Sequence, residues 1–65
     1  MKLELVYKMR NYRTERNGID YIISEEFDGI NNQTDITVID ENTGEDITDT
    51  EIGEEIKQDY IEENK

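Results

Sequence analysis

The C-terminal stretch of this 65-residue chain, residues 46–64, has the periodicity of one amphipathic helix. At about 100° per residue, Ile52, Ile56 and Tyr60 fall within an arc of roughly 80° and form one apolar stripe. Acidic residues fill the neighbouring arc, several of them four positions apart, where like charges repel by roughly 0.2–0.5 kcal/mol per pair. Such crowding is a poor choice for stability alone. It indicates a surface that serves another purpose.

The start of this helix can be placed from its capping residues. Thr48 and Glu51 have the spacing of a capping box, and Asp49 or Thr50 can also cap, so the helix is predicted to begin near Thr50. Gly53 weakens the first turn by up to ~1 kcal/mol relative to alanine.

The N-terminal half has the alternation of β-strands. Residues 2–12 predict a half-buried strand whose buried face carries Leu3, Leu5, Tyr7 and Met9. Residues 13–18, which end in Asn-Gly, predict a turn. Residues 19–24 predict a second strand, antiparallel to the first, with Ile19, Tyr21 and Ile23 on one face.

The middle of the chain predicts a second hairpin. Residues 25–34 are predicted to form a polar connection. Phe27 and Ile30 within it are expected to plug an edge of the core. The alternative is that these two side chains form an exposed contact pair. Residues 35–40 predict a third strand, 41–44 a tight turn and 45–48 a short fourth strand. The predicted fold is α+β: a single domain over residues 1–65, with a small antiparallel sheet of three to four strands and one C-terminal helix packed on it, in the order β-β-β-β-α.

Size and composition limit how such a domain can be stabilised. A chain of this length buries only about 60 % of its unfolded surface, and it has neither cysteine nor histidine to build a disulfide or a zinc site. A homodimer remains available as a remedy. Low hydrophobicity with a net charge of −11 also fits a disordered acidic segment, but the regular strand and helix patterns favour a folded domain.

Membrane insertion and secretion are not expected. No apolar run approaches the ~20 residues that cross a bilayer, and Glu4 and Lys8 interrupt any signal-peptide core. The helix is acidic, unlike the basic helices that bind membrane surfaces. The sequence therefore predicts a cytoplasmic protein.

Charge is unevenly distributed along the chain. Residues 1–16 hold five basic and two acidic residues, whereas residues 17–65 hold two lysines and sixteen acidic residues. Residues 17–65 are strongly acidic and are not expected to bind nucleic acid directly, because phosphate binding needs basic side chains. We interpret the basic cluster as protection of an exposed strand edge. The alternatives are contact with the acidic bulk, within the chain or across a dimer, and contact with nucleic acid.

Catalysis and metal binding have little support in the sequence. Without histidine or cysteine, the candidate catalytic residues are Ser24, two lysines and the carboxylates. Paired carboxylates need a deep pocket that shifts one pKa upward, and so small a domain rarely encloses one. No enzyme activity is therefore expected. Residues 40–51 resemble an EF-hand loop in oxygen spacing, but the glycine is at the fifth place rather than the sixth. No metal site or cofactor is predicted, apart from weak condensation of divalent cations.

The acidic residues can instead imitate DNA. Duplex DNA carries one negative charge per ≈ 1.7 Å of its axis, and helix residues four apart stand about 6 Å from each other. The predicted partner is a basic DNA-binding protein, reached by electrostatic steering. The alternative is a small acidic adaptor or assembly module that binds a protein without DNA mimicry. The predicted partner-binding residues are Asp40, Glu41, Glu45, Asp46, Asp49, Glu51, Glu55, Asp59 and Glu62.

In size, charge and lack of cysteine, the chain resembles the small phage-encoded DNA mimics and host-takeover proteins, including the phage inhibitors of the nucleoid protein HU. The resemblance covers the overall character of the chain and no motif. It implies a monomer or homodimer that occupies a DNA-binding cleft and displaces DNA. Under this hypothesis, charge reversal at Glu51, Glu55 and Asp59 abolishes inhibition and leaves the fold intact or more stable.

Overall fold

The computed structural model describes residues 1–63, which form a three-stranded antiparallel sheet and one C-terminal helix. Consecutive strands are neighbours in the sheet, so β2 is central. The predicted α+β class is confirmed, and Asn64, near the predicted end of the helical stretch, lies outside the described residues. The elements are β1 (Tyr7–Arg16), β2 (Ile19–Asp28), β3 (Gln33–Asp40) and α1 (Glu51–Glu63).

A two-residue turn sets the register of the first hairpin. Asn17 and Gly18 both have positive φ, 54° and 80°, as a type I′ turn requires. The turn therefore consists of residues 17 and 18, which are the last two of the predicted turn over residues 13–18. Tyr12 of β1 lies opposite Ile23 of β2, so the even-numbered residues of β1 share a face with the odd-numbered residues of β2.

This register makes the predicted position and face of the first strand wrong. β1 begins at Tyr7 rather than residue 2, because Tyr7 pairs with Asp28, the last residue of β2, and residues 1–6 are not part of any described strand. The helix lies on the side of Tyr12, so the odd-numbered residues of β1 point away from it. All four side chains predicted to be buried are exposed: Leu3, Leu5, Tyr7 and Met9.

The predicted fourth strand is also not formed. On that side of β3, residues 1–63 contain a single bridge, between Ile39 and Asp46. The ladder ends because the amide of Val38 donates to the side-chain hydroxyl of Thr48, at 2.9 Å, rather than to a backbone carbonyl. The chain is then free to leave the sheet and begin α1 at residue 51.

Thr50 is the N-cap of α1. Its hydroxyl accepts from the amide of Gly53 at 3.2 Å, and its carbonyl accepts from the amide of Glu54 at 2.9 Å. This confirms the predicted start near Thr50. The capping box of Thr48 with Glu51 is not formed, since the Thr48 hydroxyl bonds to β3 instead.

Gly53 is buried where the helix backbone meets the segment that precedes it. A Cβ atom at this position would lie 1.8 Å from the carbonyl oxygen of Ile47. The glycine that costs helix propensity is therefore the residue that allows the first turn of α1 to pack so closely.

The core lies between α1 and the central part of the sheet. It consists of five buried side chains, and Ile52 packs at its margin, which confirms the predicted apolar stripe of the helix. The predicted inward face of the second strand is confirmed at Tyr21 and Ile23, while Ile19 is 38 % exposed. The buried residues are Tyr21, Ile23, Val38, Ile56 and Tyr60.

The helix covers only part of the sheet. The molecule is 48 Å long, whereas a helix of 13 residues spans about 20 Å. At the uncovered end, Phe27 is half-buried, but Ile30 is 79 % exposed, so the predicted plugging of the core by both side chains is wrong for Ile30. Ile30 lies in the turn between β2 and β3, where the side chain of Asp28 accepts from its amide at 2.9 Å.

Replacement of Gly53 by alanine should destabilise the protein despite alanine's higher helix propensity. The new Cβ collides with the backbone carbonyl oxygen of Ile47, which cannot move away by a change of side-chain rotamer. The free energy of unfolding should therefore fall by about 1–3 kcal/mol. Urea denaturation measures the change. Gln58→Ala, at an exposed site on the same helix, is the control and should shift stability by less than about 0.5 kcal/mol. A stabilised Gly53→Ala variant would contradict the close packing.

Candidate functional site

Two of the nine predicted site residues serve the turns that precede α1. The side chain of Asp40 accepts from the amide of Asn42 at 2.9 Å, and that of Asp46 accepts from the amide of Thr48 at 3.0 Å. The Thr48 hydroxyl also donates to Asp46, and this bond, followed by the one from the Thr48 amide, holds the pKa of Asp46 below its ordinary value. Both carboxylates are therefore partly committed to local structure.

Three further predicted residues pair with arginines of β1. Arg16 lies 3.7 Å from Glu55 and also donates to Asp59, which ties the helix to the sheet edge. Arg13 is on the opposite face of the sheet, at the register position of Ile22, and reaches Glu41 at 2.5 Å. Glu41 is thus separated from the acidic residues of the helix.

These pairs give two members of the basic cluster a role besides protection of the strand edge. Two of its five members contact the acidic part of the chain, which was the alternative to edge protection. They also change the expected effect of charge reversal, since lysine at position 55 or 59 would face Arg16. Such variants would lose surface ion pairs worth up to about 1 kcal/mol each and add repulsion, so they are poor probes of binding.

Four predicted residues have exposed side chains without a hydrogen-bond or ion-pair partner anywhere in residues 1–63. Asp49 and Glu51 flank the helix start, where the helix dipole favours a negative charge. Glu62 lies at the other end, where the dipole opposes it, so local stability does not explain its charge. Glu54, which the prediction omitted, is exposed in the first turn and belongs with this set. We define the free acidic set as Glu45, Asp49, Glu51, Glu54 and Glu62.

A groove of about 630 Å³ separates α1 from β1. On its floor the rings of Tyr12 and Tyr60 are 5.5 Å apart, and the Tyr60 hydroxyl hydrogen-bonds to Glu25. Burial, and after it the bond to Glu25 and that residue's charge, raise the pKa of Tyr60 to about 12. From the sequence, Tyr60 is predictable only as part of the apolar stripe. Its polar partner could not be found without the register of β2.

Metal binding has no support in this geometry. No group of three or more acidic side chains that could hold a metal ion occurs in the described part of the chain. The glycine of the EF-hand-like stretch, Gly44, has a φ of 76° and closes the turn after β3, with its amide 2.7 Å from the Asp40 carbonyl. Over residues 1–63, no helix has the length and apolar character needed to cross a membrane.

The chain matches no protein family, no curated protein and no solved structure.

The raised pKa of Tyr60 predicts a specific loss of stability in alkali. The folded state favours the neutral phenol, so this contribution is complete below the ordinary pKa of 10.0 and is lost as the pH rises through about 12. The free energy of unfolding of the native protein should fall relative to Tyr60→Phe between these values, and tyrosinate absorbance should show a late-titrating group that the variant lacks.

Tyr7→Phe is the matched control, since Tyr7 is 54 % exposed. It should retain the late group. If the native protein and Tyr60→Phe show the same pH dependence over this range, Tyr60 does not have the buried environment described here.

Proposed function

We propose that the protein is a DNA-mimicking inhibitor. It occupies the DNA-binding surface of a basic DNA-binding protein, such as a nucleoid-associated protein in the cytoplasm of a bacterial host, and displaces DNA from it. The observation that carries this proposal is the free acidic set: five exposed carboxylates on ordered backbone that no side chain in residues 1–63 neutralises.

The amount of charge supports the proposal. Residues 40–63 contain eleven acidic residues and one basic residue, Lys57. Six of these acidic residues lie on α1, which spans roughly 20 Å, and duplex DNA carries about 12 charges over that length. Lys57, Arg13 and Arg16 offset three of the eleven acidic charges, and the eight that remain are about two-thirds of the charge on that length of duplex.

The rigidity of the carboxylates supports it as well. Glu51, Glu54 and Glu62 are held by α1, and Glu45 by a backbone bond in which its carbonyl accepts from the amide of Asp40 at 2.9 Å. A preorganised array loses little conformational entropy when it meets a basic groove, which favours affinity over a flexible acidic tail of equal charge. Its field also accelerates encounter with a positively charged partner.

A small acidic adaptor or assembly module is the second candidate. It is favoured by the apolar side chains exposed at the end of the sheet that the helix leaves uncovered, among them Leu3, Leu5 and Ile30. An adaptor that binds through these residues would form a complex insensitive to salt, whereas a DNA mimic would form one that weakens steeply as ionic strength rises.

The proposal is tested by capturing partners of the tagged protein from bacterial lysate at low salt, eluting in salt steps and identifying them by mass spectrometry. We expect an abundant basic DNA-binding protein that moderate salt releases and that duplex DNA competes away. The purified partner then gives a direct assay, the displacement of labelled duplex DNA measured by fluorescence anisotropy.

Neutralisation of the free acidic set separates a specific face from total charge. Glu45→Gln, Glu51→Gln and Glu62→Gln together should weaken displacement of DNA at least about tenfold, through the loss of three charge contacts. The control removes three charges from the sheet face opposite the helix, with Glu15→Gln, Glu26→Gln and Asp35→Asn. It should weaken displacement much less. Equal losses in both variants, or none in the first, would refute a specific acidic contact face.

A further inference from the structure

The first six residues, which we call the N-terminal arm, are the most exposed apolar segment of the protein. Leu3 is 86 % and Leu5 62 % exposed. A hydrogen bond from the amide of Gly29 to the carbonyl of Val6, at 2.9 Å, ties the base of the arm to the turn between β2 and β3. Beyond that point the arm has strand-like alternation but is not part of a described strand.

The sequence of the arm is complementary to itself in the antiparallel direction. With Leu3 placed opposite Leu3 of a second copy, Lys2 faces Glu4 and Met1 faces Leu5, in both symmetric halves. In a strand, side chains alternate between faces, so one face of such a pair would be wholly apolar and the other would carry two opposite-charge pairs. A two-fold axis through Leu3 satisfies this register, as a closed dimer requires.

The uncovered end of the sheet has space for the apolar face of this pair. Leu5 lines a hollow of about 290 Å³ together with Lys8 and Phe27. This places Leu5 beside the half-buried Phe27, at the end of the sheet that α1 leaves uncovered.

From these observations we propose that the arm pairs with the arm of a second copy of this chain, as an antiparallel two-stranded extension centred on Leu3. The free edge of β1 is a weaker candidate, because its side chains include four basic residues and one acidic residue, so two such edges repel. The inference does not rest on the proposed function, since the pairing leaves the free acidic set uncovered.

The size of the contact sets its strength. Two five-residue segments bury far less than the roughly 1,600 Å² of a standard interface, so the dimer is weak and concentration-dependent. Sedimentation equilibrium of the 65-residue chain should show a mass that rises from that of one 7.7-kDa chain towards twice that value over the upper micromolar range.

Charge exchange within the arm tests the register. Lys2→Glu places two glutamates opposite each other, and Glu4→Lys places two lysines opposite each other. Each single variant should therefore raise the dissociation constant about tenfold, by turning two attractive cross-strand pairs into repulsive ones. The double variant Lys2→Glu/Glu4→Lys restores opposite charges and should dimerise like the native protein. Net charge alone would not weaken both single variants, because Lys2→Glu makes the chain more negative whereas Glu4→Lys makes it less negative.

A second pair of variants tests the apolar contact. Leu3→Glu should abolish the dimer, while Ile30→Glu, at a similarly exposed site outside the arm, should leave it intact. The arm lies outside the core, so circular dichroism and the thermal unfolding midpoint should not change. A single-chain mass at every concentration, a dimer that persists in Leu3→Glu, or a double variant as weak as the single ones would each overturn the proposal.

Discussion

The packing of one helix on one small sheet is the constraint on which this structure depends. Residues 1–63 bury five side chains in one core, and without cysteine the chain has no disulfide to compensate for a poor fit. Gly53 lets the first turn of α1 approach the carbonyl of Ile47, and Ile56 and Tyr60 then fill the space above the central strand. Every exposed carboxylate of the helix is presented at a defined place because this contact fixes α1.

The same contact explains how so acidic a helix is tolerated. Its start is stabilised by the cap at Thr50 and by acidic residues near the positive end of the dipole, and Arg16 offsets Glu55 and Asp59 midway along. The charge that remains, above all at Glu62, has no stabilising role in the described structure. Stability therefore accounts for part of the acidity, and under the proposed function the remainder is what a basic partner recognises.

The sequence predicts the fold class, the helix start and the apolar stripe, since these depend on local spacing. It misplaces the first strand, because the alternation of residues 2–12 is genuine but the two-residue turn at Asn17-Gly18 dictates which residues find a partner. It cannot reveal that Thr48 ends the second hairpin, nor which carboxylates meet Arg13 and Arg16, because these contacts join residues far apart in the chain. Within residues 1–63, five of the nine predicted site residues have a partner for their side chain and four do not, and Glu54 joins those four.

The most direct test of this account is to map the contact on the protein itself. Amide resonances of the isotope-labelled protein would be followed while a purified basic DNA-binding protein, selected by DNA-competed capture, is titrated in at low salt. The account predicts perturbations concentrated in residues 45–62 and reversed by added duplex DNA. Perturbations confined to the N-terminal arm or to the sheet face opposite the helix, and unaffected by DNA, would contradict it.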